Sequence, residues 1–330
     1  MAKVTNALTT YGVVGNREDL SNAIYNIDPF DTPIMSMARR RNAKARTFDW
    51  QTEFLPDVDE NNAQYEGFEL ARTAGQPTVR LTNVTQISKR DATVSGSQEE
   101  SDAAGKSSEM AHQMALKSKV LKIDMEKIMS GRQARVDGDD GTPRKTEAIG
   151  HWIGRAVDKA STVGAAVIGY ETGLPVVATD AFSAVSGGNQ VVMTEKLVGD
   201  AMEAAWNNGA NPTMMVVPAA IKRTVSTFVG RNTSQVQVGR TEVVQTVDII
   251  ATDFGRIKVL PSRWIPTDVA YILDPDYLAV AFFRNFRQYP LARIGDAETR
   301  MILSEWGVEM RNPLAHIMFN GVKQGDVVGG

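Results

Sequence analysis

One short motif in the chain imitates a nucleotide-binding loop. Gly105, Lys106 and Ser107 stand directly before a predicted helix, as the last residues of a phosphate-binding loop do. That loop requires a further glycine five residues earlier, where this chain has Glu100. Glu99 adds negative charge where a phosphate would lie. The motif therefore predicts the entry of a helix and no nucleotide site.

Two other segments imitate metal sites. Asp253-Phe254-Gly255 has the order of the kinase metal-binding triplet, but no glycine-rich loop or catalytic loop accompanies it, so we predict a hairpin turn. The run 137–141 is acidic like a calcium loop. A calcium loop would need a glycine where Thr142 stands and an acid where Ala148 stands. An exposed acidic loop is the better interpretation.

The remaining reactive residue types form no recognisable set. His112, His151 and His316 are the only histidines, and none lies within metal-ligand spacing of another. The chain has no cysteine, no HExxH motif and no GxSxG motif. We therefore assign no catalytic residue, no cofactor and no metal, and expect the histidines to be packed or exposed without a chemical role.

The composition allows a large globular core. The chain has 330 residues, of which 42% are hydrophobic, and a net charge of −3. This balance gives no overall basic field that would draw the chain onto nucleic acid. The amino terminus lacks the apolar run of a signal peptide, and no stretch approaches the roughly 18 apolar residues of a membrane span.

One local basic cluster stands out against the acidic background. Such a cluster suggests phosphate contact, or a solvated or subunit-contacting face, and no aromatic residue is interleaved with it. The second interpretation is favoured because the cluster is short. The candidate inter-subunit or DNA-facing residues are Arg39, Arg40, Arg41, Lys44 and Arg46.

Two short amphipathic helices precede this cluster. Asn16 is a good helix cap, and Leu20, Ile24 and Ile27 then form one apolar stripe that ends at Asp28-Pro29. Asp31 or Thr32 is predicted to cap a second helix that begins near Pro33, with Ile34, Met37 and Ala38 on its apolar face. Residues 1–15 are polar and predict a flexible or extended arm.

An extended ribbon is predicted next. Residues 47–54 alternate between apolar and polar, and residues 79–94 do so again. The polar stretch 56–77 lies between them, with Tyr65 and Phe68 as its only large apolar anchors. A ribbon that buries so little on itself needs a neighbouring surface.

A long helix over 107–130 is the strongest secondary-structure prediction. It has an apolar stripe of Met110, Met114, Val120, Leu121, Met125 and Ile128. Its predicted polar face carries Lys117, Lys119, Lys122, Glu126 and Lys127. Gly131 fits a left-handed residue at its end.

The second half of the chain mixes helices and strands. Residues 132–190 indicate loops and an insertion. A compact α/β lobe is predicted from a helix over 194–207, a strand over 213–217 and a helix over 219–228. Later strands are predicted at 243–251, 257–260, 270–273, 278–283 and 301–310.

Both ends of the chain resemble one protein family. The opening run from Asn16 to Met37 resembles the amino-terminal signature of tailed-bacteriophage major capsid proteins of the SU-ten-like branch of the Hong Kong-97-type fold. The closing segment of that family is similar to the run from Tyr271 to Tyr277, Phe283-Arg284-Asn285-Phe286, Leu291 to Asp296, Glu305, and Glu309 to His316. The resemblance is good over 16–54 and 246–322.

This resemblance implies an α+β Hong Kong-97-type phage capsid fold. Its parts would be an N-arm that reaches over a neighbouring subunit, an extended E-loop ribbon, a peripheral domain with a long spine helix, and an axial α/β domain. The implied boundaries are 1–46 for the N-arm and short helices, 47–96 for the E-loop, 97–190 for the peripheral domain with the spine helix at 107–130, 191–250 for the axial domain, and 251–330 for strands that return to both domains.

The resemblance also implies a function and partners. The chain would be a major capsid protein that builds the icosahedral head shell of a tailed double-stranded DNA bacteriophage from hexamers and pentamers, and not an enzyme. Scaffolding, portal and decoration proteins would be partners, the packaged DNA would be contacted nonspecifically, and no membrane would be involved. The shell would be assembled in the host bacterial cytoplasm and become part of the virion.

Two finer expectations and three alternatives accompany this interpretation. No long helical prefix precedes residue 16, so a separate scaffolding protein is expected, and no lysine–asparagine pair marks a crosslink, so noncovalent locking is expected. The alternatives are an encapsulin-like compartment shell, an α/β enzyme with an unrecognised site, and a sequence-reading nucleic-acid binder, which the acidic balance disfavours.

Overall fold

The computed structural model describes residues 30–53, 58–69, 78–101, 106–155, 191–207, 209–228, 249–293 and 295–325. The predicted arm 1–15 and the first predicted helix, over 16–28, lie outside these residues. So do most of the predicted insertion and the beginning of the strand predicted at 243–251.

The first sheet has four strands in the order β1-β10-β11-β4. β10 and β11 pair antiparallel from Leu278↔Met310 onward, and β1 adds in parallel to β10. The two late strands predicted near 278–283 and 301–310 are present but longer, because their polar halves keep the alternation of a half-exposed strand. The bounds are β1 Arg39–Asn42, β4 Gln86–Ser95, β10 Leu278–Pro290 and β11 Ala297–Met310.

The long helix α3, Glu109–Met129, packs on this sheet through β4 and β11. Most of its predicted apolar stripe is buried, and Met129 extends it. Two predictions for α3 were wrong. Glu126, expected on the polar face, is fully buried, and Gly131 does not have a positive φ, because the helix ends at Ser130 in right-handed conformation.

The predicted ribbon is made by β2, Thr47–Thr52, and β3, Val79–Val84, which pair antiparallel from Thr47↔Val84 to Thr52↔Val79. The pattern suggested one strand over 79–94, but the structure has two. The run divides at Thr85, and β4 continues into the four-stranded sheet. A constant alternation cannot reveal a change of partner, because both strands keep a period of two.

The second sheet has five strands in the order β12-β9-β6-β8-β7. Its central strand β6 is buried on both faces, with Val216 in one core cluster and Met215 and Val217 in another. This agrees with the continuous apolar run in the sequence. The bounds are β6 Met214–Val217, β7 Ile249–Thr252, β8 Gly255–Pro261, β9 Val269–Leu273 and β12 Ile317–Asn320.

Two helices accompany the second sheet, as predicted. α5, Glu195–Asn207, begins with a hydrogen bond from the Leu197 amide to the Thr194 hydroxyl, and α6 is Ala219–Ser226. The remaining elements are α1 Pro33–Met37, α2 Gly96–Glu100, α4 Ile149–Arg155, a 3₁₀ turn Pro313–Ala315, and the small parallel pair β5 Val191–Val192 and β13 Val322–Lys323. Among the described residues, no helix has the length and apolar character needed to cross a bilayer.

Candidate functional site

The basic cluster begins on β1, at the edge of the four-stranded sheet. Successive strand residues face opposite sides, so Arg39 and Arg41 lie on one side and Arg40 on the other. Arg39 forms an ion pair with Asp276, and Arg41 forms one with Glu309. These two arginines are therefore committed to partners within the chain.

Glu309 is the better buried of these two acids. Its side chain is 2% exposed, and it also accepts a hydrogen bond from Nε of Arg311 at 3.0 Å. Two guanidinium groups thus neutralise one buried carboxylate, which is the condition for keeping a charge in the interior. Arg41 consequently fixes β1 to β11 and is not available to a ligand.

The other three members of the cluster face solvent. Arg40, Lys44 and Arg46 are exposed and form no ion pair with any other described residue. The backbone carbonyl of Arg46 accepts hydrogen bonds from the Thr85 amide, at 2.7 Å, and its hydroxyl, at 3.1 Å. The structure therefore divides the predicted cluster into two paired arginines and three exposed cations, of which Arg40 lies on β1 and Lys44 and Arg46 lie on the turn between β1 and β2.

The turn at 137–142 lies near Arg46 and shares with it a shallow cavity of about 430 Å³. One oxygen of Asp139 accepts hydrogen bonds from the amides of Gly141 and Thr142, at 2.9 and 2.7 Å. These bonds lower the pKa of Asp139, because they favour its ionised form. Asp139 closes its own turn, in agreement with an exposed acidic loop.

The base of the β2–β3 ribbon is firmly packed. Phe48 stacks on Trp50 with ring centroids 5.9 Å apart, and Trp50 lies 5.3 Å from Trp152 of α4. Gly307 of β11 permits this packing, since a Cβ atom there would lie 2.6 Å from the Phe48 ring. The ribbon therefore leaves the body of the protein from a fixed position.

The tip of the ribbon, residues 58–69, belongs to no core cluster of the described residues. Every residue from 58 to 69 is exposed, and Tyr65 and Phe68 expose 90% and 52% of their surface. Phe68 donates its amide hydrogen to the Tyr65 carbonyl at 3.1 Å, and Gly67 supplies the positive φ of 82° that this turn requires. A local turn thus presents both rings outward.

Lys106 and Ser107, the described part of the apparent nucleotide motif, lead directly into a capped helix. Glu99 accepts hydrogen bonds from the Ser108 hydroxyl at 2.6 Å and the Met110 amide at 3.0 Å, and Lys106 pairs with Glu109. The hydrogen bond from Ser108 is the largest cause that lowers the pKa of Glu99. A protein carboxylate occupies the position that a phosphate would need.

The other motifs weighed in the sequence also have structural explanations. Asp253 and Phe254 form the turn between antiparallel β7 and β8, as predicted. Nδ1 of His316 accepts the Asp274 amide at 3.1 Å, and complete burial lowers the pKa of this histidine to about 3. Within the described ranges, no three His, Asp or Glu side chains approach closely enough to hold a metal ion.

The sequence did not predict the burial of Glu126 and Glu305. Glu126 accepts the amides of Ile34 and Met35, and Glu305 accepts from Arg144, Arg284 and Thr85. Their partners lie 21 to 220 residues away in the chain. No local pattern marks such long-range partners, and for Glu126 the only sign was its place beside the apolar stripe.

The fold is that of phage capsid subunits. It is similar to the capsid subunit of cyanophage A-1(L), with a TM-score of 0.61 and 12% identity over 97% of this chain and 100% of that one. The capsid of a native GTA particle gives a TM-score of 0.63 with 14% identity over 98% and 100% of the two chains. At this level of identity the likeness concerns the fold alone, and it is the Hong Kong-97-type capsid fold.

The sequence itself gives the family. The model of the SU10 major capsid protein family matches residues 4–323, and the chain belongs to this family. The major capsid protein of Escherichia phage Phieco32 is 28% identical over 335 residues, covering 93% of this chain and 94% of that protein. The function is accordingly that of a phage major capsid protein, a structural component of the virion.

Proposed function

We propose that this capsid protein assembles with copies of itself into the hexamers and pentamers of a closed icosahedral head, and that this shell encloses double-stranded DNA. The observation that carries the proposal is the β2–β3 ribbon, whose base is locked in the core while its tip exposes Tyr65 and Phe68. Large exposed aromatic residues on a projecting element are typical of protein interfaces.

The ribbon supports a subunit contact for an energetic reason. The part of the ribbon beyond its packed base, residues 58–69, is exposed throughout. Such a projection is marginal in water and gains stability only from another surface. In this proposal the tip is an E-loop, Tyr65 and Phe68 are its anchors, and the surface belongs to a neighbouring subunit. A repeated contact of this kind between identical chains closes into rings when the rotation permits it.

The three exposed cations of the basic cluster also have a role in this proposal. Arg40, Lys44 and Arg46 provide positive charge without an acidic partner in the described part of the chain. They contact either a neighbouring subunit or the packaged DNA, which would be bound through its phosphates and without sequence preference. Arg39 and Arg41 do not share this role, because their partners are Asp276 and Glu309.

The remaining elements of the proposal follow from the family. A separate scaffolding protein, a portal and decoration or cement proteins would be partners, and the shell would be locked without covalent crosslinks. Assembly would take place in the host bacterial cytoplasm. The protein would have no enzymatic activity, and its axial and peripheral parts would follow the boundaries given by the sequence.

Electron microscopy of the purified protein, expressed with and without its neighbouring genes, tests the proposal. Closed shells, or rings of five and six subunits, are the expected result. A compact monomer under every condition would overturn it. Covalent multimers on a denaturing gel would overturn the noncovalent locking alone.

A further inference from the structure

One face of the long helix α3 is apolar and partly exposed. Leu116, Val120 and Ile123 follow one another at i, i+4 and i+7, so they share a face. Leu116 and Ile123 are half-buried and Val120 is 37% exposed. None of the three belongs to a hydrophobic core cluster of the described residues, whereas the opposite side of α3 packs on the sheet.

Lysines border this face. Lys119 and Lys127 are exposed and lie along it, while the acids of the same helix are engaged elsewhere. Asp124 receives a two-bond pair from Arg90 at 2.7 Å, and Glu126 is buried against α1. The face is therefore an apolar stripe with a positive border, which fits an amphipathic segment that carries acids.

The chain itself approaches this face. Phe30, where the described part of the chain begins, has its ring centroid 6.0 Å from Nζ of Lys119 and equally far from Nζ of Lys122. Cation–ring contacts of this kind hold the ring beside the middle of α3. Phe30 therefore lies beside the apolar stripe of α3.

The residues that precede Phe30 have the matching pattern. Leu20, Ile24 and Ile27 are spaced at i, i+4 and i+7, and Glu18, Asp19 and Asp28 outnumber the single Arg17. This is the same apolar spacing as on α3, with the opposite charge. Two such stripes bury each other in ordinary helix–helix packing.

We infer that residues 16–28 form a helix that docks on the Leu116–Val120–Ile123 face of α3 in the same chain. Continuity through Phe30, complementary charge and equal spacing of the apolar residues select this occupant. The docked helix would cover the outer side of α3 and fix the position from which residues 1–15 extend. The inference concerns a contact within one chain, so it stands or falls independently of shell formation.

Cysteine cross-linking tests the inference without background, because the chain contains no cysteine. The variant Ile24→Cys with Val120→Cys, treated with a short bis-maleimide, should give a cross-link within one chain. Peptide mass spectrometry would locate it, both in free subunits and in shells. The control pairs Ile24→Cys with Lys196→Cys, an exposed position on α5, and should give none.

Two results would overturn the inference. A cross-link that joins two chains would assign the face to a neighbouring subunit, and the absence of any cross-link at Val120 would show that another occupant or solvent covers it. Limited proteolysis gives a second readout. Val120→Asp should speed tryptic cleavage after Arg17 about tenfold, because cleavage follows the undocked population, while Val58→Asp at the ribbon tip should leave it unchanged.

Discussion

The carboxylate of Glu126 receives the amide hydrogen of Ile34 at 2.8 Å, across 92 residues of sequence. Its other oxygen accepts the Met35 amide at the same distance. Thr32 occupies the N-cap position of α1, as predicted, but its side chain makes no capping bond. The long helix thus caps the short one, and the entry of the amino-terminal segment depends on this buried acid.

Removing the acid should loosen this junction. Glu126→Ala leaves two buried amides of α1 without an acceptor, which should lower the free energy of unfolding by about 2 kcal/mol or more. Thermal unfolding of the unassembled subunit measures the effect. Lys127→Ala, at the exposed neighbouring position, should change it by less than about 0.5 kcal/mol. Equal effects of the two variants would contradict the capping role.

The same residue should make stability depend on pH. Burial raises the pKa of Glu126 from 4.5 to about 7, against the two amide donors that favour ionisation. The folded protein therefore holds this proton more tightly than the unfolded chain. The stabilising contribution of this proton is complete below pH 4.5 and is lost as pH rises towards and through 7, by at most about 3.5 kcal/mol. The free energy of unfolding of Glu126→Gln should therefore vary less with pH between 5 and 7.5 than that of the parent protein. If the difference in free energy between the two proteins stayed constant across this range, the prediction would be refuted.

Two glycine substitutions should act in opposite directions. A Cβ atom at Gly307 would lie 2.6 Å from Phe48 and 3.0 Å from the Val84 carbonyl oxygen, at the base of the ribbon. Gly307→Ala should cost about 1–3 kcal/mol of stability through overpacking. Gly199→Ala in α5 meets nothing within 4 Å and should gain about 0.5–1 kcal/mol from helix propensity. Chemical denaturation of both variants measures these changes in stability. A Gly307→Ala variant as stable as the parent protein would contradict the prediction.

The buried acid Glu305 should matter more than an exposed ion pair. It is 3% exposed and accepts from Arg144 and Arg284, each at 2.7 Å, which joins β10, β11 and the segment before α4. Glu305→Gln should lower stability by about 2 kcal/mol, because two guanidinium groups lose their counter-charge. Asp200→Asn, which breaks the exposed pair with Lys196, should cost less than about 0.5 kcal/mol. Similar losses of stability in the two variants would show that burial does not increase the contribution of Glu305.

The tip aromatics should control assembly and not folding. Tyr65→Ala with Phe68→Ala should leave the melting temperature of the subunit unchanged, because both rings are exposed and neither belongs to a core cluster of the described residues. The same change should raise the subunit concentration needed for shells at least about tenfold, as loss of interface aromatics does. Light scattering during assembly measures this. Glu60→Ala with Asn61→Ala, in the same exposed loop, is the control, and normal assembly of the aromatic variant would exclude these anchors.

Charge reversal should separate packaging from shell formation. Arg40→Glu, Lys44→Glu and Arg46→Glu together should still give shells but reduce packaged DNA by about an order of magnitude, since phosphate contacts would become repulsive. Lys196→Glu, Arg223→Glu and Lys323→Glu change the charge equally at exposed positions near the other sheet. DNA content per purified particle is the measurement. Shells that fail to form would assign the cluster to subunit contacts, and unaltered packaging would exclude a role in DNA binding.

Local signals in the sequence are sufficient to predict the elements that depend on near neighbours. The stripe of α3, the Thr194 cap of α5, the apolar run of β6 and the turn at Asp253 each depend on neighbours within a few residues, and the structure has all four. The fold class could be predicted from the family resemblance because that resemblance consists of short runs of residues at both ends of the chain.

Contacts that form only in the folded chain select the partner of each local element. The sequence pattern places Glu126 on the exposed face of a helix, whereas in the structure it is buried and bonded to Ile34, 92 residues away in the chain. The pattern of 79–94 indicates one strand, but its first half pairs with β2 and its second half with β11. The basic cluster forms one patch in the sequence, but two of its arginines pair with Asp276 and Glu309 in the structure. Period and composition record only what a residue prefers nearby, whereas burial and ion pairing depend on contacts that exist only after the chain has folded.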